Sequence, residues 1–293
     1  MSGPLRRSGL LIPLFSAPSS SSWGIGEIGD VGPLCAWLAA SGQRVLQLLP
    51  LNEMAPRNHS ALSAMAIDPI YISLREVDEF RSCGGEASLD ESDRERLREV
   101  RAAASVQYRT IRDIKHRALC AAFDRFTERE PADPARAEAF RRYVEAEAWW
   151  LDDYALFRAI HDREAGRSWS EWPAGLRQRD PRAMEEARGE LSRDIRFYQY
   201  LQWLAGTQWA GARAAARDHG VALFGDLPFM VDAHSADVWA NQSQFDLDRS
   251  VGVPPDAFSA TGQDWGMPPY NWPATMDSDF AWLRRRARRS AGL

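Results

Sequence analysis

The chain has 293 residues, 45% hydrophobic and 26% charged, ordinary for a soluble globular protein with one large α/β domain or two smaller ones. Its formal net charge of −5 removes the electrostatic case for nucleic acid or an anionic membrane as partner. Three cysteines (Cys35, Cys83, Cys120) and five scattered histidines (59, 116, 161, 219 and 234) show no metal-ligand spacing, so no metal site is expected and a reducing cytoplasm fits.

The first element is a continuous apolar run, residues 10–15, of strand length. It is too short, and too soon interrupted by Ser16-Ala17-Pro18, for a signal peptide or a membrane span. Gly24-Ile25-Gly26-Glu27-Ile28-Gly29 matches the dinucleotide fingerprint, with Glu53 near the expected end of the next strand, which would make a nicotinamide-dependent oxidoreductase. Against that, residues 16–23 separate the glycines from the strand, and Asp30-Val31-Gly32-Pro33 delays the helix. The expected structure is a glycine-rich loop with Asp30 as helix cap. Pro33 suits the first turn of a helix running to Ala40 and capped by Ser41-Gly42, and 45–51 reads as a second buried strand. Just past it, Asn52 and Glu53 form either a pocket wall or a turn with an exposed carboxylate. His59, Ser60 and Ser63 lie in the same loop, within reach of a ligand there.

From about Glu86 to Arg217 the texture is charge-rich helix, with apolar residues at three- and four-residue spacing over 89–126 and 134–163. A further long helix, 194–218, leads into a third strand at 221–224. That strand delivers Asp226 at its end, followed by a long loop containing Asp232, Asp256, Gln263 and Trp265. Aspartates at strand ends beside amides and tryptophans suit a sugar: hydroxyls need bidentate acceptors, and the apolar face of a pyranose needs an aromatic plate. A loop this long inside a compact domain is usually functional. Among the 12 tryptophans, Trp149, Trp150, Trp203 and Trp209 fall at helical packing positions. Trp23, Trp239, Trp265 and Trp272 fall in loops where stacking on a ligand is open, Trp265 foremost. A last helix is expected over 278–289, its arginines 284, 285, 286, 288 and 289 forming a solvated face.

Alternating strands and helices imply parallel βα units. The expected fold is α/β, of the (β/α)8 barrel type but incomplete, with about three barrel strands and a helical insertion. Residues 1–85 carry the first two strands, 86–200 the insertion, and 201–293 the third strand, the substrate loop and the following helix. An open three-stranded sheet leaves an unpaired edge and an uncovered face, so the chain reads as part of a larger barrel.

The segments Ser8-Gly9-Leu10-Leu11-Ile12-Pro13-Leu14, Trp23-Gly24-Ile25-Gly26-Glu27-Ile28-Gly29-Asp30 and Gln47-Leu48-Leu49-Pro50-Leu51, then Ser63-Ala64-Met65-Ala66-Ile67-Asp68-Pro69, 225–239 and 252–265, closely resemble the amylomaltase (4-alpha-glucanotransferase) family of the alpha-amylase barrel superfamily. The resemblance spans nearly the whole chain and implies transfer of α-1,4-glucan segments between maltooligosaccharides by retaining double displacement, without a diffusible cofactor. A nucleophilic carboxylate and an acid/base carboxylic acid about 5–5.5 Å apart are then required, and water must be kept from the covalent intermediate. The family's nucleophile lies in an Arg-x-Asp-His segment on the fourth strand, and its other catalytic carboxylates later still, so none has a counterpart here. The resemblance makes Asp226 and Asp232 shape the pocket floor, and makes Asp256 and Trp265 contact glucan; Gln263, in the same loop, is a further candidate for substrate binding. Where relatives carry a sugar-stacking tyrosine in a Ser-Pro-Tyr step, this chain has His59 before Ser60. The expected behaviour of the chain alone is no catalysis; the alternative is a non-catalytic or vestigial glucan-binding protein.

Overall fold

The computed structural model describes residues 6–54 and 61–292. The N-terminal part holds β1 (Gly9–Ile12), α1 (Val31–Ala40) and β2 (Val45–Leu48). A helical stretch follows: α2 (Asp78–Ser82), α3 (Glu91–Ala102), α4 (Tyr108–Arg129), α5 (Pro134–Arg163), α6 (Ala174–Arg177), α7 (Pro181–Glu190) and α8 (Ser192–Asp218). The remainder is β3 (Ala222–Phe224), α9 (Ala236–Ala240), β4 (Val251–Val253), β5 (Gln263–Met267), α10 (Trp272–Asp277) and α11 (Ala281–Gly292). No helix among the described residues is long and apolar enough to cross a membrane.

The first three strands form a parallel sheet in the order β1-β2-β3. Side chains alternate between the faces of a strand, so Leu46 and Leu48 are buried on one side with α1 and α8. On the other, Leu11, Gln47 and Phe224 lie in one cross-strand row; Leu11 and Phe224 are both 58% exposed. Only one face of the sheet is covered among the described residues, and β1 and β3 are its edges. β1 and β2 are shorter than the apolar runs that announce them, because Pro13 and Pro50 lack the N–H a ladder needs. After Pro13 the chain makes a single tight turn at Leu14–Ser16.

Helix starts follow local chemistry. Asp90, Asp133, Asp180 and Ser235 each accept a backbone N–H from the first turn of α3, α5, α7 and α9, and Pro134 and Pro181 follow two of those aspartates, where a missing N–H is harmless. The expected helix over 89–126 is broken: residues 103–107 leave the helix, and α4 folds back so that Leu97 and Val100 of α3 and Ile111 and Ile114 of α4 are all buried. The longest pairing is α5 against α8. Phe140 of α5 and Tyr200 and Trp203 of α8 join Phe126 of α4 in an aromatic cluster with ring centroids 5.1–5.9 Å apart, edge-on and tilted as ring quadrupoles prefer.

The long loop after β3 is more ordered than expected. β4 and β5 make an antiparallel hairpin pairing Val253 with Gln263 and Gly252 with Asp264. Gly252 is required there, since a Cβ would lie 2.1 Å from the Gln263 carbonyl oxygen. The expected helix over 278–289 is displaced to α11, and α10 precedes it, separated by Asp279 and Phe280 in left-handed conformation (φ 51° and 53°).

Candidate functional site

The third strand delivers Asp226 into an open stretch, 225–230, that is mostly exposed. A cavity of about 450 Å³ runs along β3, walled by Leu48 to Asn52 after β2, by Trp209 and Arg213 of α8, by residues 221–228, and by Ser290 and Ala291 of α11. Its walls are mainly apolar, with Asn52 and Asp226 among the polar exceptions. The Asp226 carboxylate has no hydrogen bond or ion pair among the described residues, so its acceptors are available. Arg286 of α11 fixes the stretch that follows: buried to 3% exposure, it donates to the carbonyl oxygens of Pro228 and Phe229 and to the Tyr270 hydroxyl.

The remaining candidates occupy other places. Asp232 is half-buried, and its Oδ1 accepts the His234 N–H at 2.8 Å, shaping the turn into α9. Asp256 stands at the exposed end of the β4–β5 hairpin, where its Oδ1 accepts the N–H groups of Phe258 and Ser259, each at 2.8 Å. Gln263 and Trp265, two residues apart on β5, share a face. The Trp265 Nε1–H donates to Gln263 Oε1 at 3.1 Å, and the ring is 42% exposed. The structure therefore joins Gln263 to Trp265, but only Asp226 lines the cavity beside β3. His59 and Ser60 lie outside the described residues.

Several sequence expectations are corrected. Trp23 and Trp239 are packing residues: Trp23 is 2% exposed and Trp239 0%, their indole N–H groups donating to Glu86 Oε1 and the Leu176 carbonyl oxygen. Ser63 is buried, its Oγ accepting from the N–H groups of Met65 and Ala66. Gly24, at φ +75°, lies under the Val100 carbonyl, and a Cβ on Gly26 would sit 1.9 Å from the Leu14 carbonyl oxygen, so this loop packs against protein rather than opening toward a pyrophosphate. Asp30 points back instead of capping α1. Burial pushes its carboxyl up, but bonds from Ser22, Ser19, the Glu27 N–H and Arg75 prevail and hold it below the usual range. The arginine cluster is solvated only in part: besides Arg286, Arg289 donates to the Met65 carbonyl oxygen and pairs with Glu147 at 2.8 Å.

Sequence reading gave no signal for the buried ionic network. Glu53 is not an exposed turn: it is 4% exposed and lines a cavity together with Arg158 and Asp162, accepting from the Tyr154 hydroxyl at 2.6 Å and pairing with Arg158 at 3.1 Å. Arg158 also reaches Asp162 at 3.4 Å, and Tyr198 donates to the same carboxylate. Burial pushes the Glu53 carboxyl up, with Arg158 opposing. At Asp162 burial also pushes up, but the His161, Arg158 and Tyr198 contacts outweigh it and pull the carboxyl down to about 2. Carboxylates with opposed shifts beside a cavity of about 370 Å³ look like an acid and a nucleophile, yet both are engaged by Arg158 and a tyrosine, which makes them a clamp.

That clamp has a pH signature. A carboxyl depressed on folding contributes stability above its ordinary value, 3.8, and loses it as pH falls through about 2. Because the Asp162 side chain is 50% exposed, solvent screening holds the contribution to about 1 kcal/mol. Asp162→Asn is expected to flatten the fall in stability between pH 4 and pH 2; thermal denaturation across that range checks it, and an unchanged slope contradicts it.

Among the described residues no group of three or more His, Cys, Asp or Glu side chains is arranged to hold a metal ion. The profile of the 4-alpha-glucanotransferase family matches residues 12–293. The chain is 36% identical over 290 residues to a 4-alpha-glucanotransferase of Thermus thermophilus, covering 96% of this chain and 55% of that one. It is 35% identical over 302 residues to a chloroplastic/amyloplastic 4-alpha-glucanotransferase of Solanum tuberosum, covering 98% and 50%. The fold aligns with the amylomaltase from Streptococcus agalactiae in complex with acarbose at a TM-score of 0.82 and 27% identity, over 96% of this chain and 56% of that one. It aligns with the amylomaltase from Corynebacterium glutamicum at 0.77 and 26%, over 97% and 39%. The chain spans about half the length of the curated relatives it matches. A family match running from the first strand to the last helix settles its membership: the chain belongs to the 4-alpha-glucanotransferase family.

Proposed function

We propose that the chain is the glucan-holding N-terminal part of a 4-alpha-glucanotransferase, an enzyme that moves α-1,4-glucan segments between maltooligosaccharides by retaining double displacement. The observation that carries this reading is the exposed Trp265 ring held beside Gln263 on β5, on a hairpin that also presents Asp256. An indole plate takes the C–H face of a pyranose, while a carboxylate and an amide take its hydroxyls. Asp226, unpaired at the end of β3, supplies another acceptor, and Asp232 shapes the turn beyond it. Residues 1–85 and 201–293 then belong to a (β/α)8 barrel whose remaining strands cover the open sheet face and edges, and 86–200 form a helical insertion. Three free thiols fit a cytoplasmic enzyme.

Retention needs two facing carboxyl groups about 5–5.5 Å apart. The residues named here bind; none is assigned as nucleophile or acid/base, and the reading places those groups outside residues 1–293. The 293-residue chain is therefore expected to leave maltotriose intact in an assay for glucose and longer glucans. Appearance of both products would overturn that placement and require a carboxylate pair within this chain.

A further inference from the structure

We infer that a hollow beside Trp272 is a second carbohydrate site, separate from the Trp265 surface, that takes a pyranose unit of an α-glucan. The choice of ligand rests on the proposed function; the site itself rests on its own residues. The hollow measures about 620 Å³ and is lined by Gln242, Phe245, Asp246, Asp248, Tyr270 and Trp272 among others, with none of Asp226, Asp256, Gln263 or Trp265 in its walls. That volume lies within the ordinary range of small-ligand sites, roughly 300–1,000 Å³.

Its floor is a stepped aromatic platform. Buried Phe245 lies 5.3 Å from Tyr270 at 31° between ring planes, and Tyr270 lies 5.3 Å from Trp272 at 42°. Tyr270 is locked, donating its hydroxyl to the Phe229 carbonyl oxygen at 2.5 Å and accepting from Arg286 at 3.2 Å. Trp272, on the first turn of α10, is 53% exposed. A large apolar ring held out on a rigid base offers stacking area at low ordering cost.

Polar groups of the right kind border it. The Asp248 carboxylate has no hydrogen bond or ion pair among the described residues, while Asp246 is held in place by the Asp248 N–H at 3.3 Å and by Arg249 at 3.4 Å. Gln242 donates through Nε2 to the carbonyl oxygens of Arg177 and Trp239, and no described residue engages its Oε1. Carboxylate and amide acceptors beside an aromatic plate match vicinal hydroxyls flanking an apolar sugar face. A phosphate or nucleotide is disfavoured by the two aspartates.

The test is 19F NMR of the protein carrying 5-fluorotryptophan, with the two resonances assigned by Trp272→Phe and Trp265→Phe, titrated with maltose and maltoheptaose. The expected result is a saturable shift at Trp272, with Asp248→Asn raising its half-saturation concentration about tenfold and leaving that at Trp265 unchanged. Movement of Trp265 alone overturns the second site and leaves the proposed function standing. Movement of Trp272 alone upholds the second site and removes Trp265 from glucan binding. No movement at either overturns both.

Discussion

Lys115→Met is expected to destabilise the fold by about 3–5 kcal/mol, read as a lowered urea midpoint with unchanged slope. Lys115 is the only lysine in the sequence and is 1% exposed. Its ammonium pairs with Glu27 at 2.7 Å and donates to the carbonyl oxygens of Ile70 and Ile72 at 2.6 and 2.8 Å. Burial pushes the ammonium down and Glu27 opposes this, so the pair is mutually dependent. It ties α4 to the glycine loop and to the turn at Pro69–Tyr71. Removing the cation strands a Glu27 carboxylate that is itself 1% exposed and orphans two carbonyls. The double variant Lys115→Met/Glu27→Gln is expected to regain part of the loss, since no lone charge is then buried and the amide still accepts the Trp23 N–H. A single-variant loss under 1 kcal/mol would show that the pair is dispensable.

Trp239→Ala is expected to cost about 3–5 kcal/mol and to lower Tm by roughly 10 °C. The ring is fully buried, lies 5.7 Å from Phe157 and 5.8 Å from Trp172, and carries the Arg179 guanidinium 4.3 Å above it. Its N–H holds the end of α6 through the Leu176 carbonyl oxygen. Trp265→Ala, by contrast, removes a ring on an exposed strand and is expected to leave Tm within about 1 °C. Equal melting losses in the two variants would contradict this division of packing from binding.

That division marks where the sequence ceased to be informative. Apolar runs located the three strands of the parallel sheet, and three- and four-residue spacing located α5, because both signals are local. Asp133-Pro134 and Asp180-Pro181 sit at helix starts for equally local reasons. The break between α3 and α4 carries no glycine or proline and follows from packing of one helix on the other. The β4–β5 hairpin lacks apolar alternation, since both faces of Gln263–Met267 are largely exposed.

Candidate residues stood out by composition, and burial was not legible. Trp239 and Trp265 both lie in polar, Asp-rich surroundings; only the tertiary fold encloses one and exposes the other. Glu53 stayed undecided because its partners, Tyr154 and Arg158, are remote in sequence, whereas Ser63 and Asp30 bond mainly to nearby groups and were misplaced because the tertiary fold buries them. Trp265, Gln263 and Asp256 stood out as candidates because a tight glycine-bearing loop dense in amides and acids has the chemistry that sugar contact needs.

The most direct measurement is a calorimetric titration of the 293-residue chain with maltoheptaose, beside Trp265→Ala. The expected result is saturable binding that weakens at least about tenfold, some 1.4 kcal/mol, in the variant while its Tm stays unchanged. A flat titration of the native chain, or undiminished affinity in Trp265→Ala, would contradict the claim that these residues hold the glucan.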